Sequence, residues 1–184
     1  MSITASPPNE AAMSPPSHAE VASLARQYGR HVYLAAYRVL GRHASAEDVQ
    51  QDVFVKLLQS PPHQVSSWPA WLATAATRAA IDRLRRQQRR QRLLPHWAQH
   101  RLDSAEPEPD AHTEQGERAQ RLRQALARLK PAEAECFTLR CVQGLEIDAI
   151  ARATGMSRNH VSVTLHRARH ALEAALAPEN RHDH

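Results

Sequence analysis

Between Glu20 and Leu40 the apolar residues Val21, Leu24, Tyr28, Val32, Ala35 and Val39 recur at intervals of three and four, the spacing that gathers side chains on one face of an α-helix. Gly41 is placed to end it. The pattern resumes at Ser45, where Ser-Ala-Glu-Asp has the form of a capping box, and Val49, Val53 and Leu57 make the next stripe. The opposite face of that helix shows Asp48, Gln51, Asp52 and Lys56. Asp48 and Asp52 are like charges one turn apart, which costs about 0.2–0.5 kcal/mol unless a basic partner relieves it. A third helix is announced by Ser67, Trp68 and Pro69, with proline tolerated in the first turn, and runs through Trp71, Leu72, Ala75, Ala76, Ala79 and Leu84. Its apolar side is narrow and rich in alanine, which lets neighbouring helices pack close.

The second half repeats the helical periodicity. Ala119, Leu122, Leu126 and Leu129 predict one helix; Pro131 starts another, which Gly144 ends after Phe137, Leu139 and Val142. Next come Ile150 and Ala151, then Gly155 four after the alanine and Val161 ten after it, the spacing of a helix-turn-helix. The small alanine admits the second helix, the glycine makes the turn, and the valine anchors the packing. Ser157 is a natural N-cap for the second helix. Arg158, Asn159, His160, Ser162 and Thr164 are then expected on its exposed leading half, with His166, Arg167, Arg169 and His170 behind them. Polar groups at the leading end suit base edges, and the arginines suit phosphates.

Composition fixes the class. Among 184 residues, 32 Ala, 18 Leu and 22 Arg stand against 21 β-branched residues and 5 Gly, which predicts an all-α chain and excludes a barrel or a nucleotide-binding sheet. No apolar run approaches the roughly 18 residues of a membrane span. Residues 1–19 contain Pro7, Pro8, Pro15 and Pro16 where a signal peptide needs an apolar stretch, so a cytoplasmic location is expected. Cys136 and Cys141, five apart on a helix, point about 140° away from one another and cannot form a disulfide without unwinding it.

Charge divides the chain. The formal net charge is +5, and residues 1–77 are neutral overall. Residues 78–101 carry eight Arg against one Asp; seven of those arginines fall between Arg78 and Arg92, more than a solvated helix end requires. Residues 102–117 hold six acidic side chains and no basic one, with Pro107, Pro109 and Gly116 among them. The sequence thus reads as an N-terminal tail (1–19), a helical module (20–92), a flexible acidic linker (93–116), a second helical module (117–176) and a short tail (177–184). Fully extended, the linker could reach about 80 Å, enough for the modules to act at separate places on one partner.

No enzyme is indicated. The twelve histidines are scattered, and His182-Asp183-His184 lacks surrounding residues to orient a metal. There is no glycine-rich phosphate loop, nucleophile elbow or compact carboxylate pair, so neither cofactor nor metal is expected.

Taken in order, Ala46-Glu47-Asp48-Val49-Gln50-Gln51-Asp52-Val53-Phe54, Trp71-Leu72, Ala80-Ile81-Asp82-Arg83-Leu84-Arg85-Arg86, Leu129 through Gly144-Leu145, Ile150-Ala151, and Val161 through Leu165-His166-Arg167-Ala168-Arg169 make the chain resemble the extracytoplasmic-function (ECF) class of bacterial RNA polymerase sigma factors, which keep only regions two and four. The resemblance covers about residues 20–92 and 118–176. It implies a subunit that binds core RNA polymerase, directs it to promoter DNA and helps open the duplex. On that reading Asp48, Gln51 and Asp52, with Phe54 and Lys56, meet the polymerase. Trp71, Arg78, Arg83, Arg85 and Arg86 lie along the minus-ten element, where nontemplate bases are flipped or stacked. Ser157, Arg158, Asn159, His160, Ser162, Thr164, Arg167 and Arg169 serve the minus-thirty-five element, on a frame packed by Ile150, Ala151, Gly155 and Val161. The linker threads a basic polymerase channel, and an anti-sigma factor is a further partner such proteins often have. The chain departs from the family at Arg78, where asparagine is common, at Ser162 and Thr164, where basic residues are common, at Glu146, which replaces a small hydroxyl cap, and at Cys141, where an aromatic is common. Two other readings stay open: a stand-alone helix-turn-helix regulator, and a sigma mimic that sequesters an anti-sigma factor. The first lacks a heptad or spare hydrophobic helix for dimerisation, and the second has no need of the Arg78 to Arg92 cluster.

Overall fold

The Ser17 hydroxyl accepts from the Glu20 amide at 3.3 Å while the Glu20 carboxylate accepts from the Ser17 amide at 2.7 Å. This reciprocal capping box starts the first helix at His18, two residues ahead of the apolar pattern. In the computed structural model, which describes residues 16–62, 64–93 and 113–177, seven α-helices follow in order. Helix α1 spans His18–Leu40 and closes on Gly41 at φ 71°. Helix α2 spans His43–Gln59. Its cap is Arg42, without a side-chain bond, so Ser45 lies inside the first turn and the capping box expected there does not form. Ala46, the residue after Ser45, is fully enclosed, as expected inside a packed first turn.

Helix α3 spans Trp68–Leu93. Helix α4 spans Glu114–Arg128, capped by Thr113, whose hydroxyl accepts from the Gly116 amide at 3.1 Å. Glu114 and Glu117 stand in its first turn, where the helix dipole favours negative charge. Leu93 and residues 114–116, read from composition as linker, are therefore helical, with Thr113 as the cap of the latter; residues 94–112, residues 1–15 and residues 178–184 lie outside the described residues. Helix α5 (Pro131–Phe137) continues through a π-helical turn, Thr138–Val142. Helices α6 (Ile147–Thr154) and α7 (Arg158–Leu176) form the helix-turn-helix. None of the described helices is long and apolar enough to cross a membrane.

The two modules share a core. Val32, Val39, Val49, Leu57 and Leu72 of α1 to α3 belong to one apolar cluster with Leu126, Leu129, Ala134, Ala168 and Leu172 of the second module. A smaller cluster joins Cys136, Leu139, Ile150, Val161 and Leu165 inside the second module. Helix α3 packs on α4, α5, the π turn and α6. The Gln143 side-chain amide donates to the Ala35 carbonyl at 2.9 Å, and Arg38 donates to the Gln143 side-chain oxygen at 3.3 Å, tying the π turn to α1. Both cysteines are free; Cys136 is buried, and burial pushes its thiol up to about 11, leaving it inert.

Candidate nucleic-acid interface

Three surfaces carry the candidate residues. On α2, Val49, Val53 and Leu57 turn inward, which leaves Asp48, Gln51, Asp52 and Lys56 exposed and Phe54 half-buried against the core. Val55, 47% exposed, sits among them. It lies four residues after Gln51 and three after Asp52, so the helical register alone could have placed it on this face. Arg83 of α3 donates to Asp48 Oδ2 at 2.5 Å. The like-charge pair Asp48 and Asp52 thus has its basic partner inside the chain, and a residue assigned to polymerase touches one assigned to DNA.

On α3 the arginines are engaged by the second module. Arg78 Nε donates to Glu135 Oε1 at 2.6 Å, and Arg85 donates to the Leu129 carbonyl at 2.6 Å. That carbonyl follows the last turn of α4, where the helix dipole is negative. Glu135 is only 8% exposed, and burial raises its carboxyl above the ordinary value against the opposing pull of Arg78. The sequence reading did not single out Glu135; its signal was an acid between Ala134 and Cys136, inside a helix whose flanks are apolar. Arg86, Arg89 and Arg92 line an open cleft of about 700 Å³ together with Asp82, Arg85 and, from α4, Arg128. Trp71, half-buried, lies edge-on to Trp68 with ring centroids 5.9 Å apart and borders a second cleft against Arg152 of α6.

In the helix-turn-helix, Ile150 and Val161 are fully buried and Ala151 is half-buried. The Gly155 amide donates to the Ala151 carbonyl at 2.9 Å. A Cβ at Gly155 would meet nothing within 4 Å, so φ 75°, not space, calls for glycine here. The Ser157 hydroxyl accepts from the His160 amide at 3.2 Å, the expected N-cap. Arg158 reaches back to Asp148 Oδ1 at 2.7 Å and clamps the two helices. The Ser162 hydroxyl donates to the Arg158 carbonyl at 3.1 Å. Thr164, expected to face outward, is buried at 4% exposure, because its register falls with Val161, Leu165 and Ala168 on the core side. Asn159, His160, His166, Arg167 and Arg169 are exposed, as is Val163, which the sequence reading passed over. Glu146 gives α6 no side-chain cap; it pairs with Arg140 at 2.7 Å.

Residues 24–90 match the Sigma-70 region 2 family, and residues 119–172 match Sigma-70 region 4. The chain is similar to the ECF RNA polymerase sigma factor SigE of Mycolicibacterium smegmatis, 30% identical over 156 residues, covering 84% of this chain but 60% of that protein. It is also 30% identical over 155 residues to the RNA polymerase sigma factor YlaC of Bacillus subtilis, covering 83% of this chain and 90% of that one. Among solved structures, the sigma factor RpoE in complex with the anti-sigma factor NepR from Bartonella quintana shares the fold at a TM-score of 0.52 and 20% identity, over 86% of this chain and 97% of that one.

Proposed function

This chain belongs to the ECF class of RNA polymerase sigma factors, and from that premise we propose that it binds core RNA polymerase, directs it to promoters and assists duplex opening, without turning over a substrate itself. The observation that carries the reading is one of arrangement. A single chain carries an exposed acidic helix face on α2 together with two separate arginine-bearing helices, α3 and α7. Asp48, Gln51, Asp52, Phe54 and Lys56, with Val55 at their centre, form the polymerase-facing surface. Arg78, Arg83, Arg85, Arg86 and Trp71 track the downstream element, where arginine holds phosphates and an aromatic ring stacks on unpaired bases. The exposed face of α7 enters the major groove of the upstream element. An anti-sigma factor as partner and a cytoplasmic location belong to the same proposal.

In vitro transcription from a fragmented genomic library, using core polymerase with and without the protein, tests it. Protein-dependent start sites sharing two spaced upstream elements are the expected result. Core binding without starts would instead support the sequestering mimic, and DNA binding alone an ordinary regulator.

A further inference from the structure

Helix α7 offers fewer side chains to DNA than its sequence promises. Of the leading residues, Arg158 is held by Asp148, the Ser162 hydroxyl by the Arg158 carbonyl, and Thr164 by the core. Val161, Thr164, Leu165, Ala168 and Leu172 define the inward side. At about 100° per residue, Asn159 and Val163 fall close to the diametrically opposite line, one turn apart. Among the described residues the Asn159 amide makes no hydrogen bond, and Val163 is 40% exposed in the middle of an otherwise polar face. The N-terminal half of the second helix is the part that a helix-turn-helix presses against base edges. The amide has the donor and acceptor geometry of the adenine major-groove edge, and a branched apolar side chain matches the thymine C5 methyl group, the one apolar feature in that groove.

From this juxtaposition we infer that Val163 is a specificity-determining residue, packing on a thymine methyl next to an adenine held by Asn159, so that the upstream element contains an A·T step at the centre of the α7 footprint. This rests on the sigma-factor reading, since it requires α7 to enter duplex DNA. A serine or arginine at position 163 would demand a hydrogen-bonding base edge instead. The chemistry therefore belongs to this chain's own residue.

The test uses the full chain assembled with core polymerase and a duplex library randomised over the upstream element. Once a sequence is enriched, each thymine in it is replaced in turn by deoxyuridine, which removes only the C5 methyl group. The expected result is one thymine whose replacement weakens binding by about three- to tenfold, a penalty that disappears in Val163→Ala. Circular dichroism and the salt dependence of binding show whether that variant keeps its fold and its phosphate contacts. A Val163→Ser chain, which keeps the volume small but adds a hydroxyl, should also lose the penalty. Enrichment of a sequence insensitive to every thymine-to-deoxyuridine change, or an equal penalty in Val163→Ala, overturns the inference while leaving the sigma reading intact. Failure to enrich any sequence overturns both.

Discussion

The arginine strip of α3 and the outward face of α7 are both assigned to DNA, yet they stand in opposite states. On α3, Arg78, Arg83 and Arg85 already donate to Glu135, Asp48 and the Leu129 carbonyl, so a phosphate arriving there competes with acceptors already in place. Two of those three acceptors lie on the second module. On α7, Asn159, Val163, His166 and Arg167 face outward and are exposed. On the proposed reading, capture of the downstream element would compete with the contacts that α3 makes to the second module, whereas reading of the upstream element would require no change in α7 itself. Two buried hydroxyls without a hydrogen-bond partner among the described residues, Thr77 on α3 and Thr138 on the π turn, lie on elements that pack against each other. Each such group weakens a contact by about 1–3 kcal/mol relative to a satisfied one.

The largest effect is expected from removing the strip. Replacing Arg83, Arg85 and Arg86 together by alanine should reduce protein-dependent transcription by at least about a hundredfold while leaving core polymerase binding largely intact. The slope of log affinity against log salt should fall by about 2 if each arginine meets one phosphate of a single strand. Start-site counts and a salt titration of DNA binding measure the two. Unchanged transcription in a folded triple variant would refute the role assigned to α3.

A second comparison sits within α7. Family members commonly have basic residues at the positions of Ser162 and Thr164, but only the first is at the surface. Ser162→Arg should leave stability within about 0.5 kcal/mol. Thr164→Arg should cost more than about 2 kcal/mol, because it forces a charge into a site 4% exposed. Urea unfolding of the two variants decides it; equal stability would mean that Thr164 faces outward after all. Removing the cap, Ser157→Ala, is expected to lower stability by about 1 kcal/mol through loss of the bond from the His160 amide.

Much of this was legible from spacing alone. Ile150, Ala151, Gly155 and Val161 gave the helix-turn-helix because close packing and a left-handed turn restrict residue type at each of those positions. The stripes at Val21 to Val39 and Val49 to Leu57 gave two helices for the same reason. What escaped was decided by tertiary contact. The pairing of Asp48 with Arg83 joins residues 35 apart, and that of Arg78 with Glu135 joins residues 57 apart, so no local pattern announces either. Thr164 was misplaced because threonine is compatible with either side of a helix, and only the full register of buried neighbours assigns it inward. Composition likewise read residues 114–116 as linker, since acidic residues mark a solvated tether and a helix N-terminus equally well.

The smallest effect belongs to the clasp on α3. Burial, with a lesser push from Asp82, raises the Glu135 carboxyl above its ordinary 4.5 despite Arg78, so the folded protein binds this proton more tightly than the unfolded chain. Its contribution to stability is accordingly full below pH 4.5 and is lost as pH rises through the folded value. Glu135→Gln keeps an oxygen for the Arg78 Nε and removes the ionisable group. It should change stability at pH 7 by no more than about 1 kcal/mol, neutral or slightly favourable, and should flatten the pH profile above 4.5. Loss of several kcal/mol at pH 7 would show instead that the ionised pair itself holds the modules together, and opening of the strip would then have to begin by breaking it.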